Sequence, residues 1–139
     1  MKNLLFILTI FVVFAGCASL KKQHPLEKNF VDASAQKWYA GISGADGADR
    51  GVTFRMKFYR LQYPLNADTL WMNNVALLPE ITALGDTTYI TSFYFSAGGK
   101  DKTLINDTVF TGVLNVYIDN KKHRLGPKPF KVLPVISLM

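Results

Sequence analysis

Between Val52 and Phe58, apolar side chains occupy every second position: Val52, Phe54, Met56 and Phe58, separated by Thr53, Arg55 and Lys57. Alternation of period two puts one face of an extended chain on a core and the other in water. The same period recurs from Tyr89 to Ser96, where Tyr89, Thr91, Phe93 and Phe95 make a similar face opposed by Ile90, Ser92, Tyr94 and Ser96. It recurs again at Phe110, Leu114, Val116 and Ile118, with Gly112 interrupting the face. That run ends at Asp119-Asn120, whose side chains favour turns, and resumes at Lys121, which predicts a β-hairpin. Gly126-Pro127 then breaks the chain. Phe130, Val132, Ile136 and Leu138 predict a last strand, which Pro134 confines to a sheet edge or a bulge.

Further extended segments near Trp38–Ser43 and Leu70–Leu78 complete about seven short strands in roughly 100 residues. The expected fold class is therefore all-β, with one immunoglobulin-like β-sandwich of antiparallel strands over residues 38–139. A small β-barrel is the alternative. Leu77–Leu84 has room for one helical turn, and the chain has no internal repeat.

The start of the chain follows a different rule. Behind Lys2, residues 4–15 read LLFILTIFVVFA, with Thr9 the only polar side chain. As a helix this run spans roughly 18 Å, well short of the ~30 Å hydrocarbon core of a bilayer. A basic start, a short apolar run and small residues after it form the layout of a secretory signal. The residues that follow, Phe14-Ala15-Gly16-Cys17, resemble the lipobox of bacterial lipoproteins, with Phe14 where most such boxes carry an aliphatic residue. The resemblance implies that residues 1–16 are removed and that Cys17 is the lipidation site, carrying acyl chains that anchor the mature chain. Cleavage after Ala18 without lipidation is the other reading. Cys17 is the only cysteine, and an exported chain with one unpaired thiol needs a use for it. Residues 17–37, polar from Ser19 onward, read as a tether between the anchor and the domain. The layout also resembles small lipoproteins of the Bacteroidetes, with a lipobox, a polar tether, a first strand containing Trp38 and a Lys-rich hairpin before the last strand. That resemblance carries over no functional residue. Ala18 behind the cysteine resembles lipoproteins released to the outer membrane, so the expected location is that membrane, facing the periplasm, with the membrane itself as one partner.

Charge and composition narrow the chemistry further. The formal net charge is +6 at pH 7, but the lysines are scattered, and an exported location argues against a nucleic-acid partner. No cofactor is expected and no catalytic set is assigned. The chain has two histidines and ten acidic residues, and it lacks a Gly-x-Ser-x-Gly elbow. A zinc site would need four ligands that two histidines and an acylated cysteine do not supply. Asp46 and Asp49, in a loop rich in Gly and Asp, are calcium candidates, although the loop lacks the acidic spacing of an EF-hand. A flexible turn accounts for the same residues. His123 is the one candidate general base, set among Lys121, Lys122 and Arg124 where like charges would lower its pKa.

The richest resource is aromatic: ten Phe, six Tyr and two Trp. Trp38, Tyr39 and Trp71 are candidates for a platform that stacks on a sugar ring, set against their use as core or rim side chains. Three functions are thus open. The leading one is a non-catalytic binding or scaffold domain that engages another envelope protein. A carbohydrate-binding module and a hydrolase with an unrecognised site are the alternatives.

Overall fold

The computed structural model describes residues 26–41 and 48–138. Eight strands follow two rules already visible in the chain, period-two alternation and turn residues between runs. They are β1 (Phe30–Ala40), β2 (Arg50–Tyr59), β3 (Leu65–Met72), β4 (Val75–Leu77), β5 (Glu80–Leu84), β6 (Thr87–Ser96), β7 (Phe110–Ile118) and β8 (Lys121–Leu138). Among the described residues two short 3-10 turns, Glu27–Asn29 and Ala97–Gly99, interrupt the all-β pattern. The strands form one sheet in the order β4-β3-β7-β8-β1-β2-β6-β5.

Strand β8 makes this single sheet curl. Its first part, Lys121 to Phe130, pairs antiparallel with β7, and its second part, Lys131 to Leu138, pairs parallel with β1. One strand thereby carries the chain from one half of the sheet to the other, and the halves close on each other as a half-barrel. Phe54 of β2 shows the closure, since its ring meets Phe110 of β7 edge-on at 5.1 Å and Phe130 of β8 at 6.0 Å. Val52, Met56 and Phe58 from one half and Leu70, Met72, Leu114 and Val116 from the other fill the space between, all fully buried. Gly112, the gap in the β7 alternation, leaves room for a neighbour: a Cβ there would lie 2.6 Å from the Phe130 ring.

Asp119 and Asn120 both adopt positive φ, 49° and 62°, the tight-turn conformation that joins β7 to β8. Asn73 and Asn74 do the same between β3 and β4. Pro134 sits in the half of β8 that has a partner on one side only, where the β1 register shifts between Gln36 and Trp38. Both circumstances remove the need for its missing N–H.

Several expectations are revised. The sheet is mixed rather than antiparallel and has eight strands in one curled surface, which is the barrel-like alternative. Gly126-Pro127 does not break the last strand: two residues are accommodated opposite Val113, where the β7 register jumps from Gly112–Lys128 to Leu114–Leu125. Glu80–Leu84 is an edge strand and not a helical turn, because pairing with β6 supplies the backbone bonds that a single helical turn leaves unmade. The tether does not reach Lys37. Leu26 is fully buried, and β1 begins at Phe30, with its inward positions taken by the small Ala33 and Ala35. On β6 the inward face is Ile90, Ser92, Tyr94 and Ser96, and Phe93 and Phe95 point out. The inward serines are satisfied, Ser92 donating to the Leu78 carbonyl at 3.2 Å and Ser96 accepting from the Asp101 N–H at 3.0 Å. The signal, the lipobox with Cys17, and Asp46 lie outside the described residues.

Candidate functional site

Trp38, Tyr39 and Trp71 do not form one platform. Trp38 and Tyr39 are consecutive on a strand, so their side chains leave opposite faces of the sheet, and Trp71 belongs to β3, three strands away. Each has its own surroundings.

Trp38 lies in a row with Gly51 of β2 and Phe95 of β6, and Ile136 of β8 is its partner on the other side. Because Gly51 has no side chain, the indole lies across it; a Cβ there would come within 2.2 Å of the ring. The indole then stacks on Phe95 with centroids 6.0 Å apart. Phe95 remains 57% exposed and Phe93, one row along, 56%. With Ile136 and Leu138, also exposed, these rings make an apolar surface across four strands on the outside of the half-barrel. Arg55 flanks it on the same face, its guanidinium over Tyr89 at 5.4 Å. The sequence reading missed Phe93 and Phe95 because both faces of β6 carry aromatics, and pairing with β2 decides which is inside.

Tyr39 lines a cavity of about 300 Å³ with Lys37, Arg50, Ile105 and Asn106, and Trp38 borders the same cavity. Lys37 sits at the end of the inward face, its ammonium 5.9 Å from the Phe110 ring centre.

Trp71 projects from β3 beside Val113, its cross-strand partner on β7. Two adjoining hollows, of about 340 and 440 Å³, flank the indole, and Asn74 and Val113 line both. Asn115 and Arg124, paired across β7 and β8, close the first, and Thr111 and Pro127 line the second. Asn73 anchors the β3–β4 turn below them. Its amide donates to Asp107 Oδ2 at 2.9 Å and to the Val109 carbonyl at 2.8 Å, and its carbonyl accepts the Thr111 N–H at 2.9 Å.

Asp49 accepts the Gly98 N–H at 2.7 Å and so ties the β1–β2 connection to the turn after β6, a structural use of that carboxylate. Among the described residues no three His, Cys, Asp or Glu side chains come together as a metal site. His123 is part-buried on β8 opposite Val116. One polar cluster is electrostatically tuned. Tyr94 holds its hydroxyl buried without a hydrogen bond of good geometry, with Asp101 and Thr103 as polar neighbours. Burial pushes its pKa above the ordinary phenol value, and Asp101 pushes it the same way. The Thr103 N–H, 3.0 Å from Asp101 Oδ1, holds the Asp101 carboxyl below its ordinary value, helped by Tyr94 and the Thr103 hydroxyl.

Comparison with known protein families, characterised proteins and solved structures finds no match.

Proposed function

We propose that this chain is a lipid-anchored protein of the bacterial envelope whose β-domain binds another envelope protein and carries out no catalysis. The observation that carries the reading is the outward row in which exposed Phe95 and Ile136 flank a half-buried Trp38, with exposed Phe93 beside it. A sheet needs only one apolar face to fold, and large contiguous apolar area on the other marks an interaction surface. Aromatic side chains held rigidly on strands are the residue type that dominates binding energy at protein interfaces. Anchoring at Cys17 fits the same reading. Eight residues lie between that position and Leu26, the first described residue of the domain, a span of at most about 30 Å when fully extended. The domain would stand close to the outer membrane, within reach of other proteins there.

In-cell cross-linking of the full-length protein tests this, beside Cys17→Ser and a Phe93→Ser/Phe95→Ser double variant. A defined partner is expected with the parent chain, lost with the double variant and reduced with Cys17→Ser. Recovery of no partner, or of the same partner from all three forms, would refute the proposal. Since both phenylalanines already face water, the double variant should melt near the parent temperature, which separates lost binding from lost folding.

A further inference from the structure

We propose that the outer surface around Trp71 is a binding site for an acidic oligosaccharide, separate from the Trp38 face. Trp71 is 43% exposed between Leu70 and Met72, whose side chains are fully buried on the other face, so nothing in the packing of the core requires a ring that large there. Its indole offers a flat apolar face, and the C–H face of a pyranose stacks on such a ring. The hollows on either side give neighbouring sugar units somewhere to lie.

Around the ring stand three polar side chains whose polar atoms have no partner among the described residues. Asn74, Asn115 and Arg124 make no side-chain hydrogen bond or ion pair among the described residues. An asparagine amide offers a donor and an acceptor together, matching vicinal hydroxyls. Asn73, next to Asn74, spends its whole amide on the turn, so Asn74 is presented on a fixed support. Preorganisation of this kind lowers the ordering cost of binding.

The charge selects among sugars. Arg124 is a planar fork suited to bidentate contact with a carboxylate, and no Asp or Glu lines either hollow. A uronate-type carboxylate satisfies the guanidinium where a neutral sugar leaves it to water. An extended peptide fits less well. The surface crosses β3, β7 and β8, and at Trp71 the β3 backbone already pairs with β4 on one side and β7 on the other. The backbone edge nearest Trp71 is that of β4, three residues long, which gives an extended peptide little ladder to join.

The test uses the full-length protein in detergent with Trp38→Phe, which leaves Trp71 as the only indole of the two in the chain. Its fluorescence is read against trimers of galacturonate, mannuronate and guluronate, each also as its uncharged methyl ester. At least one acidic trimer should shift the emission, with its ester weaker by roughly ten-fold or more, the scale of a charged hydrogen bond. Arg124→Gln should bring acid and ester to the same affinity. In the parent background, Trp71→Ala should abolish heat of binding in calorimetry with the melting temperature unchanged. Silence of all three acids, equal binding of acid and ester by the unaltered site, or full binding by Trp71→Ala would each overturn the proposal. None of these readouts depends on a protein partner, so failure here is distinct from failure of the cross-linking experiment.

Discussion

Replacing Gly112 by alanine tests how the two halves of the sheet interlock. The new Cβ would lie 2.6 Å from Phe130 Cε2 and 2.9 Å from the Met72 methyl, about 1 Å inside ordinary carbon contact. Phe130 cannot retreat far, because it is buried and its ring meets Phe54 edge-on. Forcing a methyl into such a core costs about 1–3 kcal/mol. Loss of glycine's freedom in the unfolded chain returns about 0.4–1 kcal/mol. The net expectation is a destabilisation of about 1–2 kcal/mol, seen in denaturant as a lower midpoint with unchanged slope. In a thermal scan it is a fall of roughly 4–8 °C for each kcal/mol lost. The cause is identified by repeating the substitution in a Phe130→Leu background, where Cε2 and Cζ no longer exist. There Gly112→Ala should be neutral or mildly stabilising, giving a coupling energy of about 2 kcal/mol in the double-mutant cycle. An equal cost in both backgrounds would refute the idea that Gly112 is the socket for Phe130.

Asn73→Ala should cost at least about 2 kcal/mol in denaturant unfolding, since three hydrogen bonds and a left-handed backbone position depend on that residue. Asn73→Gly should recover only the backbone part, about 1 kcal/mol. Tyr94→Phe should change stability at pH 7 by less than about 1 kcal/mol, because its hydroxyl lacks a good partner. The raised phenol pKa means that its contribution is complete below pH ~10 and is lost as pH rises through the folded value. The parent should therefore weaken in alkali more than Tyr94→Phe does. Asp101 runs the other way: its depressed pKa contributes stability above pH ~4 that is lost as pH falls through the folded value, and Asp101→Asn should remove that part of the acid sensitivity in a pH series of melts. Leu26→Ala should cost about 2–5 kcal/mol. A chain begun at Trp38 should give no cooperative melt, since it lacks most of the strand that pairs with both β2 and β8.

Much of the fold is legible in the chain because period-two alternation and turn chemistry are local. Val52 to Phe58 and Phe110 to Ile118 announce inward faces that the structure keeps, and Asp119-Asn120 announces its hairpin. The all-β class follows from these runs alone. The lipobox resemblance at Cys17 rests on the chain's own residues and lies outside those the structure describes. What the local pattern does not decide is which strands meet. Ala33 and Ala35 look like tether because small side chains carry little hydrophobic signal, yet they are buried where β1 lies between β2 and β8. Phe93 and Phe95 look like core because an aromatic face is normally the buried one. Only the β2 register, Thr53 opposite Phe93 and Gly51 opposite Phe95, turns that face outward and lets Trp38 lie across the glycine. Trp71 was legible as a candidate, but its company was not: Asn74, Asn115 and Arg124 are brought to it by pairing between β3, β7 and β8. Alternation along a strand is set by neighbouring residues, whereas strand order and register are set by contacts between residues far apart in the chain. Both aromatic surfaces of this protein are made by the second kind.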